Sequence, residues 1–116
     1  MTIDLVKLSE KDMNDFVPER MRDVPFESIR NIIGKRIIIE DFELFESASA
    51  KYTERNKTGV HLVVVLEDDT KIRICTHAIN IVRAFVCFQK LNIPWEPTGI
   101  TIVEKQFQNG TTLVFQ

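Results

Sequence analysis

Lys35-Arg-Ile-Ile-Ile-Glu-Asp-Phe-Glu-Leu-Phe-Glu-Ser47 is the stretch on which the fold turns. It is rich in β-branched and aromatic residues, which suit a pleated, half-buried surface. Its alternation changes parity partway: Ile37 and Ile39 share one face, Phe42 and Leu44 the other. A one-residue slip near Glu40-Asp41 is what a β-bulge produces, so this segment reads as one long, bent strand.

Further strands and one helix follow it. Val60, Leu62, Val64 and Leu66 alternate with His61, Val63, Val65 and Glu67. After the turn residues Asp68-Asp69, Ile72 and Ile74 alternate with Lys71, Arg73 and Cys75. Ala78 to Leu91 is too long and too evenly apolar for a strand, and Ile81, Phe85, Phe88 and Leu91 form an inward helical stripe. Thr76 or His77 stands where a cap is expected, and Asn92 and Pro94 end the helix. Ile100–Val103 and Thr112–Phe115 flank Asn109-Gly110, the strongest two-residue hairpin signal. The order strand, strand, strand, helix, strand, strand has five short strands whose edges need protection. Closure into a small barrel plugged by the helix, the OB-fold order, is the economical solution, with a generic α+β sheet as the competitor. The expected class is therefore mainly β, a five-stranded OB-fold barrel over residues 34–116.

Residues 1–33 form a different region, an N-terminal arm with seven acids, five bases, Pro18 and Pro25. Phe26, Ile29, Ile32 and Ile33 fall at helical spacing and Gly34 is placed as a C-terminal cap, which predicts a short helix there. Leu5, Val6, Phe16 and Met21 could cover the second apolar side of the later helix, formed by Val82, Val86 and Cys87. A second subunit is the other candidate cover.

At 116 residues the chain has room for one modest core, and 44% apolar with 28% charged residues excludes wholesale disorder. Fifteen Lys and Arg against 17 Asp and Glu give no global field for polyanions, so any nucleic-acid role rests on local charge. Cys75 and Cys87 are too few for a disulfide scaffold and read as buried thiols in a reducing compartment. No segment reaches the length of a membrane span or a signal-peptide core, so the expected compartment is the cytoplasm.

From Gly34 onward the sequence resembles small OB-fold single-stranded-DNA-binding proteins of phages and mobile elements. The likeness lies in Gly34-Lys-Arg-Ile-Ile-Ile-Glu-Asp-Phe-Glu-Leu44 and Val103-Glu-Lys-Gln-Phe-Gln-Asn-Gly-Thr-Thr-Leu-Val-Phe115. It implies single-stranded DNA, or RNA, as the ligand, held without enzymatic chemistry. In an OB barrel strands cross the face of the second and third strands, flanked by two loops. The parity puts His61, Val63, Lys71, Arg73 and Cys75 on that face. One flanking loop offers Lys51, Tyr52, Arg55 and Lys57, the other Lys105 and Phe107, and Arg36 lies on the first strand. Cations would track phosphates while Tyr52 and Phe107 stack on bases.

Other chemistries are poorer fits. Cys75, His77, Cys87 and His61 lack the tight paired spacing of a structural zinc site. Glu67, Asp68 and Asp69 read as a hairpin turn. There is no phosphate loop, nucleophile elbow or His-Glu metal motif, so no enzyme and no cofactor are expected. Glu40, Asp41, Glu43 and Glu46 make the first strand acidic, which suits the alternative of a protein-interaction or self-associating module. Its contact surface would be that strand, the arm or the helix at 78–91. Trp95 reads as a lid over the helix end or as an interface anchor.

Overall fold

One strand, β1 (Arg36–Glu46), organises the molecule by pairing with a different neighbour at each end. The computed structural model describes residues 17–46, 57–108 and 110–116. β1 runs antiparallel to β2 (Thr58–Val65) from Ile38↔Val65 to Glu46↔Thr58, and antiparallel to β4 (Thr98–Phe107) from Arg36↔Thr101 to Ile39↔Thr98. Its register slips between Ile39 and Asp41, the bulge expected from the parity change. Ile37 and Ile39 before the slip and Phe42 after it are all buried, so the extra residue keeps the apolar side chains inward as the strand bends. β2 pairs with β3 (Lys71–Thr76) and β4 with β5 (Gly110–Phe115), giving one curled antiparallel sheet of order β3-β2-β1-β4-β5.

The turns follow their local chemistry. Asp69 adopts φ 66° between β2 and β3, and the Asp68 carboxylate accepts the Thr70 N–H. Those hydrogen bonds from Thr70 hold the Asp68 pKa below the usual carboxylate value. The acids here shape a turn, as their position suggests.

Helix α1 (Ile79–Lys90) lays Ile81, Val82 and Phe85 onto the core, with Ile37, Leu62, Ile74 and Ile102 from four strands beneath. The Thr76 hydroxyl accepts the Ala78 N–H, ahead of the helix, and Ala78 itself supplies no side-chain cap. Trp95 is the lid: it packs edge-on against Phe42 and Phe88, 5.1 and 5.0 Å between ring centroids, and donates its indole N–H to the Ile39 carbonyl. The helix needs less cover than its composition suggests, because Val82 belongs to the core and Val86 packs against it. Cys87 is exposed and Cys75 half-buried, which corrects the expectation of two buried thiols. Leu91, expected in the inward stripe, is also exposed. No helix among the described residues is long and apolar enough to cross a membrane.

The N-terminal segment departs most from expectation. In place of a helix over 26–33 there is one 3-10 turn, Ile29–Asn31, in which the Ser28 hydroxyl accepts the Arg30 N–H. The reason lies just upstream. The Pro25 carbonyl accepts the Arg73 N–H, and the Glu27 N–H donates to the Arg73 carbonyl, which fixes Phe26 against the free edge of β3. What remains is too short to nucleate an α-helix. Gly34 does adopt the expected left-handed conformation at φ 82°, and its N–H donates to the Ile102 carbonyl. Among the described residues β3 and β5 do not pair. The segment 25–33 lies on that side, bonded to β3 and separated from the β4–β5 ribbon by a hollow of about 740 Å³ between Ile29, Ile33, Glu104 and Leu113.

Candidate nucleic-acid interface

The pairing register sorts the outward side chains into rows running across the sheet. The first row is Lys71–Val65–Ile38, the second Arg73–Val63–Asp41, and the third Cys75–His61–Glu43. The second and third rows form the face on which strand binding was expected. They are covered by the chain's own residues.

Arg20 clamps one side of that face. Its guanidinium donates to Asp41 at 2.7 Å, to Glu43 at 2.8 Å and to the Phe42 carbonyl at 3.0 Å. The bond to Asp41, then that to Glu43, raises the Arg20 pKa above its ordinary value. On the other side Pro25 and Glu27 bond the Arg73 backbone, and the Arg73 guanidinium stands 5.1 Å over the Phe26 ring. Met21, between these two attachments, is fully buried. The sequence gives little warning of this cover, since residues 17–27 carry no regular apolar period.

His61, expected on an open surface, is 0% exposed. Phe45 stacks on its ring at 4.5 Å and also stands edge-on to His77 at 5.3 Å. Gly59 allows that arrangement, because a Cβ there would lie 2.5 Å from the Phe45 ring. Neither His61 nitrogen has a hydrogen-bond partner, and Arg73 Nε is also buried and unpaired. A neutral imidazole carries one donor and one acceptor, and each buried group left unmade costs about 1–3 kcal/mol. Desolvation, with the Arg73 charge second, lowers the His61 pKa to about 4. Val63 is buried as well, again against its expected exposure. Lys71 remains exposed but is paired with Glu40 at 2.8 Å. Lys57 is half-buried just before β2, and Lys51, Tyr52 and Arg55 lie outside the described residues.

Three of the expected residues do share an open surface. Arg36 pairs with Thr101, and the alternation of β4 then carries Val103, Lys105 and Phe107 on the same face. Arg36 lies across Gly99, its guanidinium 2.8 Å from where a Cβ would stand, so only glycine admits it in that pose. The Lys105 ammonium is 5.4 Å from the centre of the exposed Phe107 ring. From Thr101 to Phe107 this stripe spans about 20 Å at strand rise. Its cross-strand partners on β5 are Val114, Thr112 and Gly110, and it contains no carboxylate. Among the described residues neither Arg36 nor Lys105 has an ion-pair partner.

Beside the stripe, two adjoining hollows of about 400 and 450 Å³ share Arg36, Leu66 and Glu67. Ile38, Val65 and Pro97 line the first, Lys35 and Asp68 the second. Among the described residues no three His, Cys, Asp or Glu side chains converge to hold a metal ion. No family model, curated protein or solved structure matches the chain.

Proposed function

We propose that the chain is a non-enzymatic single-stranded-DNA-binding protein on an OB-type barrel, with the outward stripe of β4 as its primary contact. The strand order, with a helix between β3 and β4, supports the barrel assignment. The observation that carries the functional reading is the placement of Arg36 and Lys105, neither in an ion pair among the described residues, with exposed Phe107 on one face of β4. Phosphates meet the two cations, and a base stacks on the aromatic ring, for about 1–3 kcal/mol. Lys71 and Arg73 contribute less, because Glu40 and Phe26 already engage them.

Fluorescence anisotropy with labelled poly-dT at low and moderate salt tests this. Arg36→Ala with Lys105→Ala should weaken binding and flatten the log–log salt dependence by about 0.7 per lost phosphate contact. Phe107→Ala should weaken binding with the salt slope unchanged. Lys71→Ala should have the smaller effect. Absence of binding by the folded wild type at low salt sinks the reading. The same protocol with poly-U measures preference for DNA over RNA.

A second reading has its own observation. Ile38 is 45% exposed on the floor of a groove edged by Val65 and Pro97, with Glu67 at the rim. An apolar floor with mixed charge suits a protein partner, and a barrel that ignores poly-dT would be a protein-interaction module docking there.

A further inference from the structure

The face beneath residues 17–27 is closed at its margins but unsatisfied inside. Both His61 nitrogens and Arg73 Nε lack partners there. The cover is held by the exposed Arg20 carboxylate pairs and by two backbone bonds to Arg73, with Met21 as its buried anchor. Such a segment sits at the low end of a protein's range of local stabilities, since exposed ion pairs contribute little and exchange readily with water. The first outward row, Lys71–Val65–Ile38, continues through Ile38↔Gly99 into the β4 stripe, so the covered face and the open stripe form one surface.

We propose that residues 17–27 are a displaceable strap, and that a strand held along the β4 stripe advances onto the His61–Arg73 face as the strap leaves it. The inference rests on the nucleic-acid reading of the β4 stripe. A phosphate oxygen satisfies the Arg73 guanidinium, and base edges satisfy the imidazole, which relieves the unmade hydrogen bonds of the closed state. Arg20 then leaves Asp41 and Glu43, which stand at the β1 ends of the second and third rows, and the strand passes beside them along the first row, over Ile38 and Val65. The closed strap lowers apparent affinity by the fraction of molecules that are open.

Cys75 reports on the strap because it shares the third outward row with His61 and is half-buried. In a Cys87→Ser background, thiol labelling therefore reads opening without any nucleic acid. Arg20→Ala removes only the exposed clamp and leaves the core intact. It should speed Cys75 labelling several-fold and tighten poly-dT binding by about 5- to 10-fold, the relief expected for a mostly occluded site. Asp41→Asn with Glu43→Gln should speed labelling from the other side of the same pair, and saturating poly-dT, which takes the strap's place over the His61–Cys75 row, should slow labelling of these opened variants. Unchanged labelling and affinity in both variants, with Arg36 and Lys105 still required for binding, overturns the strap while the functional reading stands. Faster labelling with no poly-dT binding by any variant overturns the competition and the functional reading together.

Discussion

His61→Leu tests the most unusual feature of the sheet. The imidazole is 0% exposed, both nitrogens are unpaired, and its pKa is lowered to about 4 from 6.5. Glu43, Arg73 and His77 are the charged or titratable groups acting on it. Only the neutral ring fits this site. Between those two pH values the unfolded chain therefore binds a proton that the folded chain does not, and stability rises with pH. The His61 contribution is complete above about pH 6.5 and is lost as pH falls toward 4. A shift of about 2.5 units corresponds to about 3 kcal/mol in full, and to about 2 kcal/mol already lost at pH 5. Against a typical total of about 5–15 kcal/mol that is a large fraction. Urea unfolding of the wild type should lose roughly 1 M of midpoint between pH 8 and pH 5 through this residue alone. His61→Leu keeps a similar volume and should lose that component. At pH 8 the variant should be within about 1 kcal/mol of wild type, since lost stacking on Phe45 is offset by the removal of two unmade hydrogen bonds. Parallel pH dependences for the two proteins, or a His61 resonance titrating near 6.5, would refute the reasoning.

Three further substitutions probe the local geometry and packing that shape the sheet. Gly59→Ala drives a methyl group into the Phe45 ring at 2.5 Å and toward His77 at 2.9 Å, so thermal unfolding should register a loss of about 1–3 kcal/mol. Gly34→Ala meets no atom within 4 Å and should lose only the roughly 1–2 kcal/mol of its left-handed backbone. Trp95→Ala removes the edge-on ring from Phe42 and Phe88 and the bond to Ile39, and should cost about 3 kcal/mol by chemical denaturation. A Trp95 variant as stable as wild type would show that the ring caps the core without supporting it.

What could be read from the chain alone was whatever local periodicity controls. The slip near Glu40-Asp41, the Asp68-Asp69 turn, the helix after Thr76 and the β4–β5 hairpin each follow from spacing or turn chemistry within a few residues. Parity also put His61 on the correct side of β2. It could not say that another part of the chain lies over that side, because a face is a local property and its cover is a tertiary one. Residues 26–33 failed for the same reason. Their helical spacing is real, but the free edge of β3 claims the backbone on either side of Phe26, and a bonded edge outweighs weak helix propensity. Of the residues expected to meet nucleic acid, Arg36, Lys105 and Phe107 kept an open surface on the β1–β4 side of the sheet, away from the contacts of the 17–27 segment. Lys71 and Arg73 did not remain free, since Glu40 and the Phe26 ring, both remote in sequence, come to meet them.

The division of β1 between two partners also sets how the molecule yields. Eight residue pairs join β1 to β2, but only four, Arg36–Ile39 against Thr98–Thr101, join it to β4. The β4–β5 ribbon hangs on that short ladder, together with the packing of Ile102 and Phe115 and the Gly34–Ile102 bond. A tensile load on the C-terminus would meet its weakest line there, peeling the ribbon away while the β1–β2–β3 meander held its shape.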